Sequence, residues 1–477
     1  MFASMPVTYR ANLFQDRKEL HQFLLACKQT LIEEGQKKVV SISIESKPLD
    51  PLAVLDKIAE PEQLHFYVEK ANQGEAIVAI DTAAKFKFEG VQRFDQAQKF
   101  IDSCLANTIA TGALDLPFSG PHFFCTFTFF DENLNGDSPF PAATVFLPSW
   151  QVSSKKDCCV IVVNIVIDWH INISTVVDNI LRKLDKIRAS GNQNFKYNLI
   201  ERKHKFQPQD VTDKKHFQAS VLSALEAIRA DRISKIVLAH AIEVNSPQPF
   251  HRVDSLNNLR RMYPDCYVFS TSNGKGQNFI GASPERLIRI RDRELETDAL
   301  AGSAPRGKTA TEDAYFAERL LRSEKERREH RVVIDFIVQR LASLDLTPQR
   351  LPGPSLLKLS NIQHLWTPIR GKIPLGVHPL EILAELHPTP AVAGDPRDVA
   401  LRQIRRYEAF DRSVYAAPLG WIDHRGNSEF VVGIRSALID SDRARLYAGA
   451  GIVAGSDPDK ELAEIQLKLQ ALLKALV

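Results

Sequence analysis

From about residue 15 to residue 190, short apolar runs alternate with stretches of helical spacing. Val39–Ile44, Leu64–Val68, Glu75–Ile80, Phe123–Phe130, Ala143–Leu147 and Val160–Ile167 read as strands, being rich in β-branched and aromatic residues. Ala97–Leu105 and Ser174–Ile187 read as helices. In the first, Ala97, Phe100, Ile101, Cys104 and Leu105 share a face; in the second, Val177, Ile180, Leu181, Leu184 and Ile187 do. The Gly/Asn/Asp/Pro-rich piece Asp131–Pro141 predicts a surface turn, and the polar segment Ser190–Gln209 predicts a junction.

Beyond the junction the spacing predicts a helix over Asp213–Ala230, then a strand over Ile233–Ala239. Cys266–Ser272 and Gln277–Ala282 flank Asn273-Gly274-Lys275-Gly276, a hairpin signal. Further strands are expected at Arg286–Arg291, Tyr415–Asp423, Glu429–Ile439 and Arg443–Ala448, and long helices at Glu312–Leu344 and Asp459–Leu476. Hairpins with separate helices imply an α+β fold of large, mostly antiparallel sheets flanked by helices. The expected division is residues 1–200, an α+β region completing the fold, and 210–477, a catalytic domain.

Composition narrows the function. Of 477 residues 44% are apolar and 25% charged, globular values, and the net charge of +3 offers no bulk field for nucleic acid. The most apolar stretch, Cys158–Ile167, is about half a bilayer span and contains Asn164. No secretion signal is evident at the start, and none of the six cysteines forms a C-x-x-C pair. The expectation is a cytoplasmic protein with reduced thiols, no membrane or nucleic-acid partner, and a monomeric or homodimeric state.

Several polar residues sit where apolar ones would be expected. Glu326, Glu329 and His330 lead into Val333 at i, i+3, i+4 and i+7. Glu461, Glu464 and Lys468 repeat that spacing beside the stripe Leu462, Ile465, Leu469, Leu472 and Leu476. Solvated helix faces explain both patterns. A carboxylate from each of two helices would also suit Mg2+, which takes one or two protein carboxylates and keeps several waters. Gly449-Ala450-Gly451 reads as a turn between strand and helix. The chain ends too soon afterwards to complete a dinucleotide-binding βαβ unit, so close backbone approach to an anion suits these glycines better. Glu285, after Pro284 at the end of an apolar strand, is either a turn carboxylate or a desolvated acid able to protonate a leaving group. Lys235, opening the run Ile236-Val237-Leu238-Ala239, is either a strand-edge gatekeeper or a desolvated base.

The order and wording of these segments resemble the chorismate-utilising family, which includes anthranilate, aminodeoxychorismate, salicylate and isochorismate synthases. SKIVLAHAIEV, IGASPERLI, DALAGSAPRG, SEKERREHRVVIDF, LHPTPAVAGDP, AFDRSVYAAPLGW, VGIRSALI and YAGAGIVAGSDPDKELAEIQLKL carry the resemblance over residues 213–477. It is looser before that, where Val91-Gln92-Arg93-Phe94 echoes the family's N-terminal part. The resemblance implies an anthranilate synthase component I-like fold and chorismate as substrate. It implies Lys235 as the base activating water, Glu285 as the acid, and Glu329 and Glu464 as Mg2+ ligands backed by Glu326 and Glu461. Arg435, Lys468 and the backbone of Gly449, Ala450 and Gly451 would receive the other substrate carboxylate or its neighbours. His364 and Tyr415 match pocket positions.

Within the family, ammonia-using anthranilate synthases usually carry glutamine at the position of Lys235, so water is the implied nucleophile. Aminodeoxychorismate synthases place a nucleophilic lysine where this chain has Ala301, just before Gly302. After that glycine, salicylate and anthranilate synthases read threonine, while isochorismate synthases read serine then alanine, as in Ser303-Ala304; Ala391 also resembles isochorismate synthases, where salicylate synthases carry a hydroxyl residue, and Arg306-Gly307 occurs in both. The implied activity is isochorismate synthase, a reversible isomerase. The alternatives are a salicylate synthase, which also eliminates pyruvate, and a non-catalytic chorismate-binding subunit.

Overall fold

The computed structural model describes residues 16–34, 37–132, 136, 138–191, 206–360 and 362–477. Most of the expected junction, and part of the turn over 131–141, lie outside the described residues. Two large sheets form the frame. A 13-stranded sheet runs from Gln209–Asp210 and Lys235–Asn245 through Arg443–Ile452, Ser436–Asp440, Asn278–Ser283 and Tyr267–Ser272. It continues through His65–Lys70, Glu75–Ile80, Trp150–Lys155, Cys158–Ile167 and Lys38–Ser46 to Thr108–Gly112. The 10-stranded sheet has Glu294–Pro305 between Ile362–Lys372 and Arg286–Arg291, and ends on His122–Phe127, Ala143–Leu147 and Ala84–Phe88. Pairing is antiparallel except between Lys38–Ser46 and Thr108–Gly112. The fold is α+β with largely antiparallel sheets, as the hairpin pattern implies.

Both sheets take strands from either side of residue 205. The register Phe66↔Thr271 to Lys70↔Tyr267 joins the halves in the first sheet, and Thr126↔Leu419 to His122↔Asp423 joins them in the second. The packed faces bury Phe66, Phe123, Phe124, Phe127, Phe269 and Phe279 almost completely. Removal of aromatic surface of this size from water, roughly 150–250 Å² each, is what holds the layers together. Arg93 opens the helix Arg93–Ala106, is buried, and donates to the carbonyls of Thr128 and Phe130 at 2.8 and 2.5 Å.

The hairpin forms where expected, with Gly274 and Gly276 at φ +72° and +89° and the Asn273 carboxamide accepting from Lys275 N at 2.8 Å. Four local readings need correction. The helix expected over Glu312–Leu344 is two, Ala310–Arg322 and Glu324–Ala342, broken at Ser323. Ser323 leaves the helical conformation (φ −66°, ψ 115°) and its hydroxyl caps Glu326 N. The strand expected over Glu429–Ile439 is also two, Ser428–Val432 in the smaller sheet and Ser436–Asp440 in the larger, with Arg435 at φ +50° between them. Tyr415 precedes its strand, which begins at Pro418, because it sits in a tight turn with its N–H on Arg412 O at 2.7 Å. Gly449, Ala450 and Gly451 lie within the strand Arg443–Ile452, paired with Ala239, Leu238 and Val237, and not in a turn.

Candidate active site

The chain passes between the sheets twice at one place. Ser283-Pro284-Glu285 links Asn278–Ser283 of the larger sheet to Arg286–Arg291 of the smaller, and Gly433-Ile434-Arg435 makes the return crossing. Val432 N donates to Glu285 O and Ala282 N to Arg435 O, both at 3.1 Å, which stitches the crossings together. Beside this seam opens a cavity of about 1030 Å³ including its mouth. Glu285, Gly302, Ser303, Glu326, Glu329, His364, Ala391, Tyr415, Arg435, Gly449, Gly451, Glu461, Glu464 and Lys468 all line it.

Two residues expected at the site stand differently. Ala450 is buried outside the lining, because alternation along its strand turns Gly449 and Gly451 toward the cavity and Ala450 away. Lys235 lies just behind the wall. It is 1% exposed, and its Nζ meets Glu329 Oε1 at 2.8 Å. A Cβ at Gly451 would stand 2.8 Å from Glu329 Oε1 and 3.3 Å from Lys235 Cε, and one at Gly449 would stand 2.9 Å from the Tyr415 hydroxyl. These glycines therefore make room for side chains, and the carbonyl of Gly449 accepts from Lys468 Nζ at 2.8 Å. A strand-edge gatekeeper does not describe so buried a lysine.

Glu285 is 4% exposed. Burial pushes its carboxyl up to about 8, with Lys235 pulling down and Asp298 pushing up. Asp298 is itself gripped by Arg286 through two 3.0 Å bonds and by Trp366 Nε1 at 2.9 Å. Arg435 donates to His364 Nε2 at 3.2 Å, which leaves Nδ1 to donate to Ser303 Oγ at 3.0 Å. Burial first, then Arg435 and Lys468, hold His364 well below its ordinary range, so the ring is neutral. A bulge at Gly302 (φ +78°) interrupts the pairing with Ile362–Lys372 and turns Ser303 N onto Glu326 Oε2 at 3.1 Å.

The carboxylates ride on two helices. Ser323 starts the helix bearing Glu326 and Glu329; Asp457, accepting from Asp459 and Lys460 N–H groups, with Pro458 next, starts the one bearing Glu461 and Glu464. Lys468, 2.8 Å from Glu464, holds that carboxyl below its usual range. Burial first, then Glu329, raises Glu326; burial first, with Glu464 and Glu329 adding to it, raises Glu461. His330, pushed down to about 4 chiefly by burial and then by Lys235, bonds Thr367 Oγ1 at 2.8 Å and pins its helix to the sheet.

Sequence reading missed several contributors, Lys325, Arg412 and Tyr447 among them. Lys325 lines the mouth between Glu326 and Glu461, at 3.9 and 3.8 Å. Arg412, wholly buried, is paired with Glu408 and donates to Val237 O and Val392 O at 2.8 Å, bracing two walls. The stacked rings of Tyr415 and Tyr447, 5.1 Å apart, close that side. The arrangement offers a buried acid raised by burial, the cations Arg435 and Lys468 and four carboxylates around one cavity, with a buried lysine behind its wall.

A family model described as chorismate binding enzyme matches residues 22–477. The chain belongs to that family. It is 41% identical over 266 residues to the "Salicylate biosynthesis isochorismate synthase" of Pseudomonas aeruginosa, an alignment covering 55% of each chain. It is 37% identical over 264 residues to the "Isochorismate synthase MenF" of Bacillus subtilis, covering 55% of this chain and 56% of that one. The chain thus spans about half the length of these curated relatives in alignment. The solved structure of MenF, the menaquinone-specific isochorismate synthase of Escherichia coli, superposes with a TM-score of 0.76 at 27% identity, covering 95% of this chain and 99% of that one. Among the described residues no helix is long and apolar enough to cross a membrane, and all six cysteines are free.

Proposed function

We propose that this protein is an isochorismate synthase of the cytoplasm, reversibly converting chorismate to isochorismate by adding water at C2 and expelling the C4 hydroxyl. The observation that carries this is one cavity lined by Glu285, an acid buried and thereby raised to about 8, and by the four carboxylates of two helices, with the buried Lys235 directly behind its wall on Glu329. In this proposal Lys235 enters as the neutral amine and takes the proton of the attacking water, becoming ammonium, while Glu285 delivers its proton to the departing hydroxyl, which leaves as water; each reverses its role in the return direction. Arg435 and Lys468 supply positive charge for a substrate carboxylate, and neutral His364 is locked between Arg435 and Ser303. The names of the relatives at 37–41% identity support the same reading.

The donor set fits Mg2+. Four carboxylates from two helices face each other with no thiolate or imidazole among them, which suits a hard cation. Among the described residues no three acidic, His or Cys side chains form a ready-made cage. Glu329 and Glu464 would hold the ion, with Glu326 and Glu461 orienting them. When bound, the ion supplies charge to hold the ring carboxylate. Incubating pure protein with chorismate and Mg2+, then separating products, tests the assignment. Isochorismate is expected, and isochorismate supplied instead should return chorismate. Accumulation of salicylate with pyruvate, or no turnover, would overturn it.

A further inference from the structure

Each of the four carboxylates has a lysine within 4 Å. Glu329 has Lys235 at 2.8 Å and Glu464 has Lys468 at 2.8 Å. Glu326 and Glu461, on different helices, share Lys325 at 3.9 and 3.8 Å. The three lysines are differently held. Lys235 is 1% exposed and Lys468 24%, the latter also donating to Gly449 O; Lys325 is 42% exposed. Lys325 is also the second residue of its helix, after the Ser323 cap and Glu324. A cation there meets the positive end of the helix dipole, so its placement opposes the local preference. The two outer carboxylates are what draw it in. Its contacts are longer than direct hydrogen bonds and its side chain is partly solvated, so it is a counter-ion that can leave.

We infer that Lys325 is a displaceable internal counter-ion, which bridges Glu326 and Glu461 while the divalent site is empty and competes with the metal for that charge. This rests on the Mg2+ reading above. Removing the ammonium should tighten metal binding measured without substrate by about three- to tenfold, the scale of one or two partly exposed ion pairs. The experiment is calorimetric titration of the whole protein with Mg2+, paralleled by Mn2+ titration followed by electron paramagnetic resonance. Lys325→Met should bind tighter, and Lys325→Arg should stay near wild type. Lys460→Met removes a neighbouring exposed lysine that forms no ion pair with these carboxylates, and should also stay near wild type. Unchanged or weaker binding by Lys325→Met, or equal tightening in Lys460→Met, would overturn the inference while leaving the metal reading intact. A wild-type protein with no saturable divalent binding would overturn both.

Discussion

Replacing Glu285 by Gln should make the protein more stable and nearly inactive, and both effects follow from one burial. The folded carboxyl is moved from its ordinary 4.5 to about 8 by desolvation. Folded protein therefore keeps a proton that unfolded chain gives up between those values. The associated stability is fully present below about pH 4.5 and is lost as pH rises toward 8. Integrated over that window, the loss is roughly 3 kcal/mol at pH 7 and approaches 5 kcal/mol above pH 9. Gln keeps the shape and has no charge to bury, so the variant should not show this decline. Denaturant midpoints of the two proteins should nearly coincide near pH 4.5 and separate progressively, the variant above the wild type, up to pH 9. Loss of the proton donor should lower kcat in both directions by about 10²–10⁴-fold, with chorismate KM little changed. In wild type, kcat/KM should fall as pH rises through about 8, the alkaline limb set by this acid. A midpoint difference independent of pH would refute the buried neutral acid. A variant that lost substrate binding instead of turnover would place the acid elsewhere.

Other outcomes follow from the same geometry. Lys235→Ala should lower kcat by about 10²–10⁴-fold in steady-state assays, while the circular dichroism spectrum stays native; near-wild-type turnover would point to another base. Excess chelator should abolish product formation and Mg2+ should restore it, and Glu464→Gln should raise the Mg2+ concentration needed for half-maximal rate at least tenfold. Full activity in chelator would remove the metal from the scheme. Gly451→Ala places a Cβ 2.8 Å from Glu329 Oε1 and should cost activity at least tenfold with little change in unfolding midpoint, the reverse of a packing defect.

Much of the site could be read from the chain because its residues sit in segments with distinctive wording. Glu285 follows a proline at a strand end, and Glu461, Glu464 and Lys468 interrupt the pattern of an otherwise regular helix. What could not be read is where backbone direction changes without a punctuating residue pair. VVGIRSALI looks like one continuous apolar strand, yet the return between sheets falls inside it, since only the three-dimensional partners distinguish Val432 from Ser436. The break at Ser323 is hidden because charged residues on both sides are good helix formers, and it shows only as a cap once Glu326 N is placed. Lys325 looks like any solvated helix lysine, because its two partners, Glu326 beside it and Glu461 on another helix, are 135 residues apart in sequence. Long strands such as Glu294–Pro305 escaped because their alternation is interrupted by a bulge at the functional glycine.

The stitched crossings also bear on how a substrate gets in and out. Glu285 and Arg435 belong to segments whose amides close across the seam, so displacing either one would part strands in both sheets. The helices carrying the carboxylates present the more exposed polar groups of the cavity: Glu464 and Lys325 are 38% and 42% exposed, against 4% for Glu285. The cavity therefore meets solvent on the helical side. Glu285 thus lies on the part of the wall that the two sheets hold in common, and the helices on the part that faces water.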